Sequence, residues 1–281
     1  RVRADGIDIL VDLSSHTALN RLGLFARKPA PVQVTWLGYF GTTGLKQIDY
    51  LLAGPWDVTV EEEPYFTETI WRLPHTRLCF SRPEEQVAVA SLPALTNGYI
   101  TFGCFNDIRK LNDRVIRLWA GLLLALPTAR LFLKTRILDT TEGRRALTAR
   151  FQDLGVAAER LIIEGPSAFT AYLASYGRVD IALDPFPYTG GTTSAQALWM
   201  GVPILTMAGD SIMARQGEAM LRTLGLEAWI ATSEADYVER TLLLTQAIVP
   251  LQELRAGLRQ RLECSPLMDA AGFARDLESA F

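Results

Sequence analysis

Short runs of apolar residues alternate along this chain with longer stretches in which apolar residues recur every three or four positions. The short runs predict buried strands, and the longer stretches predict amphipathic helices. Strands are predicted at 7–13, 32–37, 49–53, 99–105, 130–134, 161–163, 180–183, 202–206 and 229–230. Helices are predicted at 20–26, 113–126, 142–154, 169–176, 192–201, 211–224, 237–247, 251–262 and from 267 to the end. Because strands and helices alternate, the sequence predicts an α/β fold with parallel sheets.

A polar stretch with prolines, residues 83–97, divides these elements into two groups, and we interpret it as the linker between two lobes. The first group has three short strands, about half of a typical Rossmann-type domain, so the first lobe is predicted to be incomplete. The predicted organisation is a partial Rossmann-like lobe over 1–92, a second Rossmann-like lobe over 97–264, and a C-terminal helix over 265–281.

One stretch of the second lobe combines a strand, a tight turn and a helix start, DIALDPFPYTGGTTSAQALWMGVPILT over residues 180–206. The prolines end the strand because they cannot donate to a ladder, and Gly190 and Gly191 permit a tight turn. Thr192, Thr193 and Ser194 begin the helix, where their hydroxyls can cap it and its free N–H groups can hold an anion. The pattern predicts a phosphate site, and the alternative is an ordinary strand–turn–helix without a ligand.

A polar loop follows an earlier strand of the same predicted sheet and carries Asn106, Asp107 and Lys110 in the stretch FGCFNDIRK. A lysine on such a loop can reach a phosphate as a point charge, and the alternative is a solvated surface lysine. The carboxyl ends of parallel strands meet at one edge of a sheet. We therefore expect Lys110 and the Thr192–Thr193 turn to face one anion together.

Two histidines and two aspartates are the other titratable residues with a candidate role. His16 follows the first strand and is interpreted as a base or a sugar ligand, with a capped turn residue as the alternative; His75 is interpreted as structural. Asp180 and Asp184 are four residues apart on a strand, about 13 Å in extended chain. That separation is too large for the carboxylate pair of a glycosidase.

Composition narrows the classes of partner and cofactor. The 281 residues are 49% hydrophobic with a net charge of −3, so nucleic acid is disfavoured as a partner. No apolar run approaches the roughly 20 residues of a membrane helix, so no membrane association is predicted. Three distant cysteines indicate a reducing cytoplasm, and two histidines without a cysteine cluster argue against a metal site. No cofactor is predicted.

Several stretches together resemble the catalytic region of the protein O-linked N-acetylglucosamine transferase family, in its bacterial and SPINDLY-type members. They occur in the family's order and cover nearly the whole chain: DGIDILVDLSSHT, RKPAPVQVTWLGYFGTTG, LPHT, FGCFNDIRKLND, VDIALDPFPYTGGTTSAQALWMGVPILTM and SPLMDAAGFARDLE. The resemblance implies a GT-B fold, two Rossmann-like lobes with a nucleotide sugar in the cleft between them. It also implies that the start of the first lobe and the helical TPR repeats lie outside this sequence.

The resemblance assigns expected roles in the second lobe. Lys110 matches the lysine that neutralises the pyrophosphate, and Thr192 and Thr193 match the helix-start pair that binds it. Ser167 falls where backbone groups hold uracil, and Gln196 matches the residue that holds the ribose.

Further substrate contacts are expected around these positions. Asn106 and Gly191 belong to the same two loops and are expected to contact the donor. Thr42, Thr43 and His16 fall on first-lobe loops that face the sugar and the acceptor in the family, with His16 the second candidate catalytic residue beside Lys110.

Three positions depart from the family pattern. Tyr172 stands where better-known members have a cleft histidine, and Gln196 replaces a carboxylate, so its bond to a ribose hydroxyl is expected to be weaker. Asp107 stands where an amide is usual, and its charge is expected to weaken donor binding unless Arg109 offsets it.

The activity that the resemblance implies is inverting, metal-independent transfer of N-acetylglucosamine from UDP-N-acetylglucosamine to serine or threonine hydroxyls of a protein or peptide. Two alternatives stay open at this point: fucosyl transfer from GDP-fucose, and a non-catalytic lobe that binds a nucleotide or a protein partner. The acceptor, the general base and the oligomeric state are not predicted.

Overall fold

The structure, a computed structural model, describes all residues from 1 to 281 and contains two parallel sheets in two lobes. The first lobe holds a four-stranded sheet whose strands lie in chain order. Its strands are β1 (Ile9–Asp12), β2 (Val32–Thr35), β3 (Tyr50–Ala53) and β4 (Thr69–Arg72). The first three were predicted. The fourth was missed because its sequence, TIWR, is short and polar at both ends, as suits an edge strand.

The second lobe holds a six-stranded parallel sheet in which successive strands are first added on one side of the first strand and then on its other side. Its strands are β5 (Thr101–Cys104), β6 (Arg130–Lys134), β7 (Leu161–Glu164), β8 (Ile181–Leu183), β9 (Ile204–Met207) and β10 (Ile230–Ala231), in the order β10-β9-β8-β5-β6-β7. The chain leaves β5 toward β6 on one side, whereas β8 pairs on the other side. A crevice forms at the carboxyl ends of strands at such a switch point.

Ten α-helices connect and cover the strands. They are α1 (Leu22–Phe25), α2 (Ala94–Asn97), α3 (Asp113–Ala125), α4 (Thr141–Gln152), α5 (Phe169–Ser175), α6 (Thr192–Trp199), α7 (Gln216–Thr223), α8 (Glu234–Gln246), α9 (Ile248–Glu263) and α10 (Ala270–Ala280). The helix predicted from residue 211 begins only at Gln216, because residues 208–215 form a loop. None of the ten has the length and hydropathy of a membrane-crossing helix.

The sequence forms these elements because apolar side chains recur on the faces that become buried. In β8 all three residues are buried, which is the pattern of a central parallel strand. In α3 the buried residues include Val115, Trp119 and Leu122, spaced so that they share one helix face. One cluster of 50 buried residues joins this face to both sides of the larger sheet.

The C-terminal helix crosses back to the first lobe. Phe273 of α10 stacks on Trp36, with 5.5 Å between the ring centroids, and packs in one cluster with Val34 and Leu52. The linker is also held in place, because Arg255 and Arg259 of α9 donate to backbone carbonyls of residues 87–90. The sheets, the linker and α10 therefore fix where the cleft between the lobes lies.

Candidate functional site

A cleft of about 530 Å³ lies between the two lobes, at the switch point of the larger sheet. Its first-lobe wall is mostly apolar and consists of Leu37, Phe40, Arg77, Leu78, Cys79 and Phe80. Its second-lobe wall carries the polar groups that follow β5 and β8, among them Asn106, Lys110, Thr192 and Thr193. The expectation that Lys110 and the Thr192–Thr193 turn meet at one sheet edge is confirmed.

One side-chain oxygen joins these two loops. The hydroxyl of Thr193 donates to Oδ1 of Asn106 over 2.8 Å, and the ammonium of Lys110 donates to the same oxygen over 3.3 Å. Lys110 also donates to the backbone carbonyl of Thr189, 2.8 Å away. The lysine is therefore held at the helix start by two acceptors instead of extending into solvent.

The ring of Tyr188 and the buried carboxyl of Asp184 complete the surroundings of Lys110. Its Nζ lies 4.0 Å from the Tyr188 ring centroid, a cation–π distance. Burial lowers the pKa of Lys110, while the charge of Asp184 opposes that shift. A half-buried cation in such a site acts on a neighbouring anion through less water than a surface lysine does.

Asp184 holds the turn between β8 and α6. Its Oδ1 accepts from the backbone N–H of Gly190 over 2.6 Å, and its Oδ2 accepts from the hydroxyl of Thr206 over 2.9 Å. A Cβ atom at Gly190 would lie 2.2 Å from the hydroxyl oxygen of Ser194, so a larger residue there would require the Ser194 side chain to move. Burial raises the pKa of Asp184 to about 7.

The start of α6 differs from its prediction in one respect. No side chain caps this helix, whose N-cap is Gly191, so the expectation that the threonine and serine hydroxyls cap it is wrong. The hydroxyl residues lie inside the first turn, where Thr193 turns to Asn106 and Thr192 is exposed to the cleft. The N–H groups of Thr192 and Thr193, two residues that line the cleft, consequently have no capping side chain, whereas the N–H of Ser194 donates to the carbonyl of Gly191 over 3.1 Å.

Asp107 is neutralised by its neighbour. The carboxylate accepts from Nε and Nη2 of Arg109 over 3.0 and 2.8 Å, and the hydrogen bonds from Arg109 lower the pKa of Asp107. Arg109, which the sequence indicates as the residue that could offset the charge of Asp107, is thus paired with it.

Tyr172 and Gln196 lie next to each other behind the loops that follow β5 and β8. The phenol of Tyr172 donates to Oε1 of Gln196 over 3.0 Å, and it lies 3.1 Å from the phenol of Tyr176. Burial raises the pKa of Tyr172 to about 12, so the phenol stays protonated and remains a donor. Neither Tyr172 nor Gln196 lines the cleft itself.

The first-lobe candidates do not reach the cleft surface. The hydroxyls of Thr42 and Thr43 both bond to the carboxylate of Glu68, which therefore holds their loop. His16 is exposed, and its Nε2 lies 3.1 Å from the carbonyl oxygen of Thr42. Its ring contacts Tyr39 edge to face at 5.4 Å, one residue from the cleft wall.

Two further candidates lie apart from the cleft. Ser167 is exposed on the loop between β7 and α5 and is not among the lining residues. Asp180 is buried, and its carboxylate accepts from the backbone N–H groups of Ala94 and Thr101 over 2.8 and 2.7 Å, so it ties the linker helix to β5.

Comparison with known proteins decides the family. The model of glycosyl transferase family 41 matches residues 1–82 and 81–277. The chain belongs to this family. The SPINDLY proteins of Oryza sativa and Petunia hybrida, each named a probable UDP-N-acetylglucosamine–peptide N-acetylglucosaminyltransferase, are 41% and 38% identical to the whole chain, which spans 30% of their length.

A solved structure of a family 41 relative matches both lobes at once. The O-GlcNAc transferase mutant of Thermobaculum terrenum superposes with a TM-score of 0.92 at 40% identity, over 99% of this chain and 53% of that one. The two lobes with a cleft between them are thus the GT-B arrangement, as the resemblance implied. The implied family is confirmed as well.

Reasoning from sequence missed several residues of this family 41 cleft. Tyr188 could have been found from the pattern, because it stands between the prolines and the glycines of the turn after β8. Gln216, Phe40 and Arg77 line the cleft from distant parts of the chain and carry no local signal. Arg77 is almost fully buried, and its Nε lies 3.1 Å from the carboxylate of Asp57.

Proposed function

We propose that this chain transfers a sugar from a nucleoside diphosphate donor to a serine or threonine hydroxyl of a protein or peptide, with UDP-N-acetylglucosamine as the donor. The observation that carries the proposal is the convergence of Lys110 and the Thr193 helix start on Asn106 within the interlobe cleft. A cation and a free helix N-terminus together form a site for a diphosphate.

The proposed reaction is an in-line displacement. The acceptor hydroxyl forms a bond to the anomeric carbon while the bond from that carbon to the β-phosphate oxygen breaks, so the sugar is transferred with inversion. The electron pair leaves with UDP, and the proton of the hydroxyl is released to solvent water. Negative charge grows on the β-phosphate, where Lys110 and the N–H groups of α6 stabilise it. In this proposal the protein supplies that positive charge without a metal ion.

The other substrate contacts follow from the positions around the diphosphate. Gln196 and Tyr172 lie behind the residues that line the cleft and are proposed to reach the ribose from there. The backbone near Ser167 is proposed to hold the uracil. The first-lobe wall, with Phe40 and Leu37, is proposed to face the sugar. Thr42, Thr43 and His16 are proposed to shape the acceptor side through their shared loop.

The names of the relatives support the substrate class. The plant SPINDLY proteins are named as peptide N-acetylglucosaminyltransferases, and the Thermobaculum terrenum protein as an O-GlcNAc transferase. The matches to the SPINDLY proteins cover the whole chain at 38–41% identity and so span the loops that follow β5 and β8.

A transfer assay tests the proposal. The protein is incubated with a pool of peptides and either UDP-N-acetylglucosamine or GDP-fucose, and intact-mass spectrometry follows the peptides. We expect a mass gain of one N-acetylhexosamine with the first donor. A gain of one deoxyhexose would replace the donor in the proposal by GDP-fucose. Binding of UDP without any mass gain would favour a non-catalytic lobe that binds a nucleotide.

A further inference from the structure

The loop between β9 and α7, residues 208–215, docks onto the first lobe and is here called the docking loop. Its Ile212 is buried in a cluster whose other members, Leu51, Ala53 and Val58, all belong to the first lobe. The second lobe therefore inserts an apolar side chain into the core of the first. This contact ties the docking loop to the first lobe.

A bidentate ion pair reinforces the same contact. Nη1 and Nη2 of Arg215 donate to the two carboxylate oxygens of Glu62 over 2.6 and 2.8 Å. Nη1 also donates to the carbonyl of Asp57, and Nε donates to the carbonyl of Gly209. The exposed fractions of the Arg215 and Glu62 side chains are only 11% and 19%, so water competes weakly for the pair.

The docking loop also holds the turn that carries the phosphate site. The carbonyl of Met213 accepts from the hydroxyl of Thr189 over 2.8 Å. The carbonyl of Thr189 in turn accepts from the ammonium of Lys110 over 2.8 Å. Gln216, which follows Arg215, approaches the same two carbonyls with its amide nitrogen at 3.4 Å. An unbroken line of contacts thus runs from Glu62 in the first lobe to Lys110 in the second.

We propose that Arg215 and Glu62 are positioning residues that couple the docking of the two lobes to the placement of Lys110. When the pair forms, the docking loop holds Thr189, and Thr189 holds the lysine at the helix start. When the pair is lost, the docking loop is free to shift, and the lysine loses a fixed acceptor. This inference rests on the proposed function, because it assumes that Lys110 binds the diphosphate.

Calorimetric titration with UDP tests the coupling. Arg215→Ala and Glu62→Gln are each expected to raise the Kd for UDP by about fivefold or more. The double variant is expected to bind no more weakly than the worse single variant, because the two residues act as one unit. Arg215→Lys keeps the charge but cannot form the bidentate pair, so its affinity for UDP is expected to lie between those of Arg215→Ala and the wild type.

A second interlobe arginine provides the matched control. Arg222 of α7 lies over the ring of Trp56 at 5.0 Å, so it also joins the lobes, but its side-chain hydrogen bond goes to Glu218 and not to the docking loop or to Thr189. Arg222→Ala is expected to leave the Kd for UDP within about twofold of the wild-type value, an effect no larger than that of an ordinary surface change.

Three outcomes separate the possibilities. If Arg215→Ala lowers the melting temperature while the Kd for UDP stays unchanged, the pair is only structural and the inference is wrong. If Arg222→Ala raises the Kd for UDP as much as Arg215→Ala does, a general loosening of the contact between the lobes explains the effect and the inference is wrong. If the wild-type protein binds no UDP, the proposed function itself fails, and the inference fails with it.

Discussion

Lys110 follows β5 and Thr193 lies in the first turn of α6, which follows β8, yet both donate to the single oxygen Oδ1 of Asn106. Asn106 is buried and follows β5, so it is a fixed point against which both donors are oriented. A site whose donors are oriented in advance pays little reorganisation energy when charge develops on a ligand.

Replacing Lys110 by methionine tests the role of the charge. Methionine keeps much of the side-chain length and removes the ammonium, so kcat for sugar transfer should fall by about 100- to 1,000-fold, as for other groups that stabilise developing charge. The melting temperature should change little, because only two partly buried hydrogen bonds are lost. Lys46→Met, at an exposed lysine outside the cleft, is the control and should keep wild-type kcat.

Replacing Thr193 by valine tests whether its hydroxyl orients the site. Valine preserves the shape but cannot donate to Asn106, which leaves a buried acceptor with only Lys110 as its partner. We expect the Kd for UDP to rise by about tenfold, in line with the loss of one hydrogen bond to a buried group. Thr193→Ser retains the hydroxyl and should bind UDP nearly as well as the wild type. Equal affinities for all three proteins would contradict this role.

The buried carboxyl of Asp184 should make the free energy of unfolding depend on pH. Burial raises its pKa to about 7, so the folded state binds a proton more tightly than the unfolded state. Protonation therefore favours folding fully below pH 4, and this contribution is lost as the pH rises toward 7. Asp184→Asn cannot ionise, so relative to the wild type it should gain up to about 4 kcal/mol of unfolding free energy between pH 4 and pH 8.

Urea unfolding of both proteins across that pH range measures the effect of Asp184. Asp153→Asn, at an exposed carboxylate, serves as the control and should run parallel to the wild type. If the Asp184→Asn curve also runs parallel to the wild type, the carboxyl has no raised pKa in the folded protein.

Replacing Gln196 by glutamate should strengthen the binding of UDP. Oε1 of Gln196 already accepts from Tyr172, and a glutamate at this position would keep that bond while adding charge toward a ribose hydroxyl. A charge-assisted hydrogen bond is roughly twice as strong as a neutral one. Gln196→Glu should therefore lower the Kd for UDP about fivefold. The Kd for 2′,3′-dideoxy-UDP, which lacks the hydroxyls, should not improve; an equal gain for both ligands would place Gln196 away from the ribose.

The second lobe could be predicted from sequence because its signals are local. Apolar strands, the glycine turn and the hydroxyl-rich helix start all fall within residues 180–206, and Lys110 follows the neighbouring strand directly. Their convergence follows from the rule that parallel strands bring their carboxyl ends to one edge.

The first-lobe contribution could not be predicted in the same way. Thr42 and Thr43 have hydroxyls that could contact a substrate. Both hydroxyls instead bond to the carboxylate of Glu68, which lies 25 residues beyond Thr43. The pairing of Arg215 with Glu62 spans 153 residues and depends on how the lobes dock. Such contacts leave no periodic pattern in the sequence, because only the tertiary structure brings the partners together.

We propose that the interlobe cleft binds a diphosphate between Lys110 and the start of α6. Calorimetric titration of the wild type and of Lys110→Met with UDP and with uridine tests it most directly. The account predicts that the wild type binds UDP at least about 100-fold more tightly than uridine, since the diphosphate contributes several charge-assisted hydrogen bonds. It also predicts that Lys110→Met loses most of this difference. Equal binding of UDP by both proteins, or equal binding of UDP and uridine by the wild type, would contradict it.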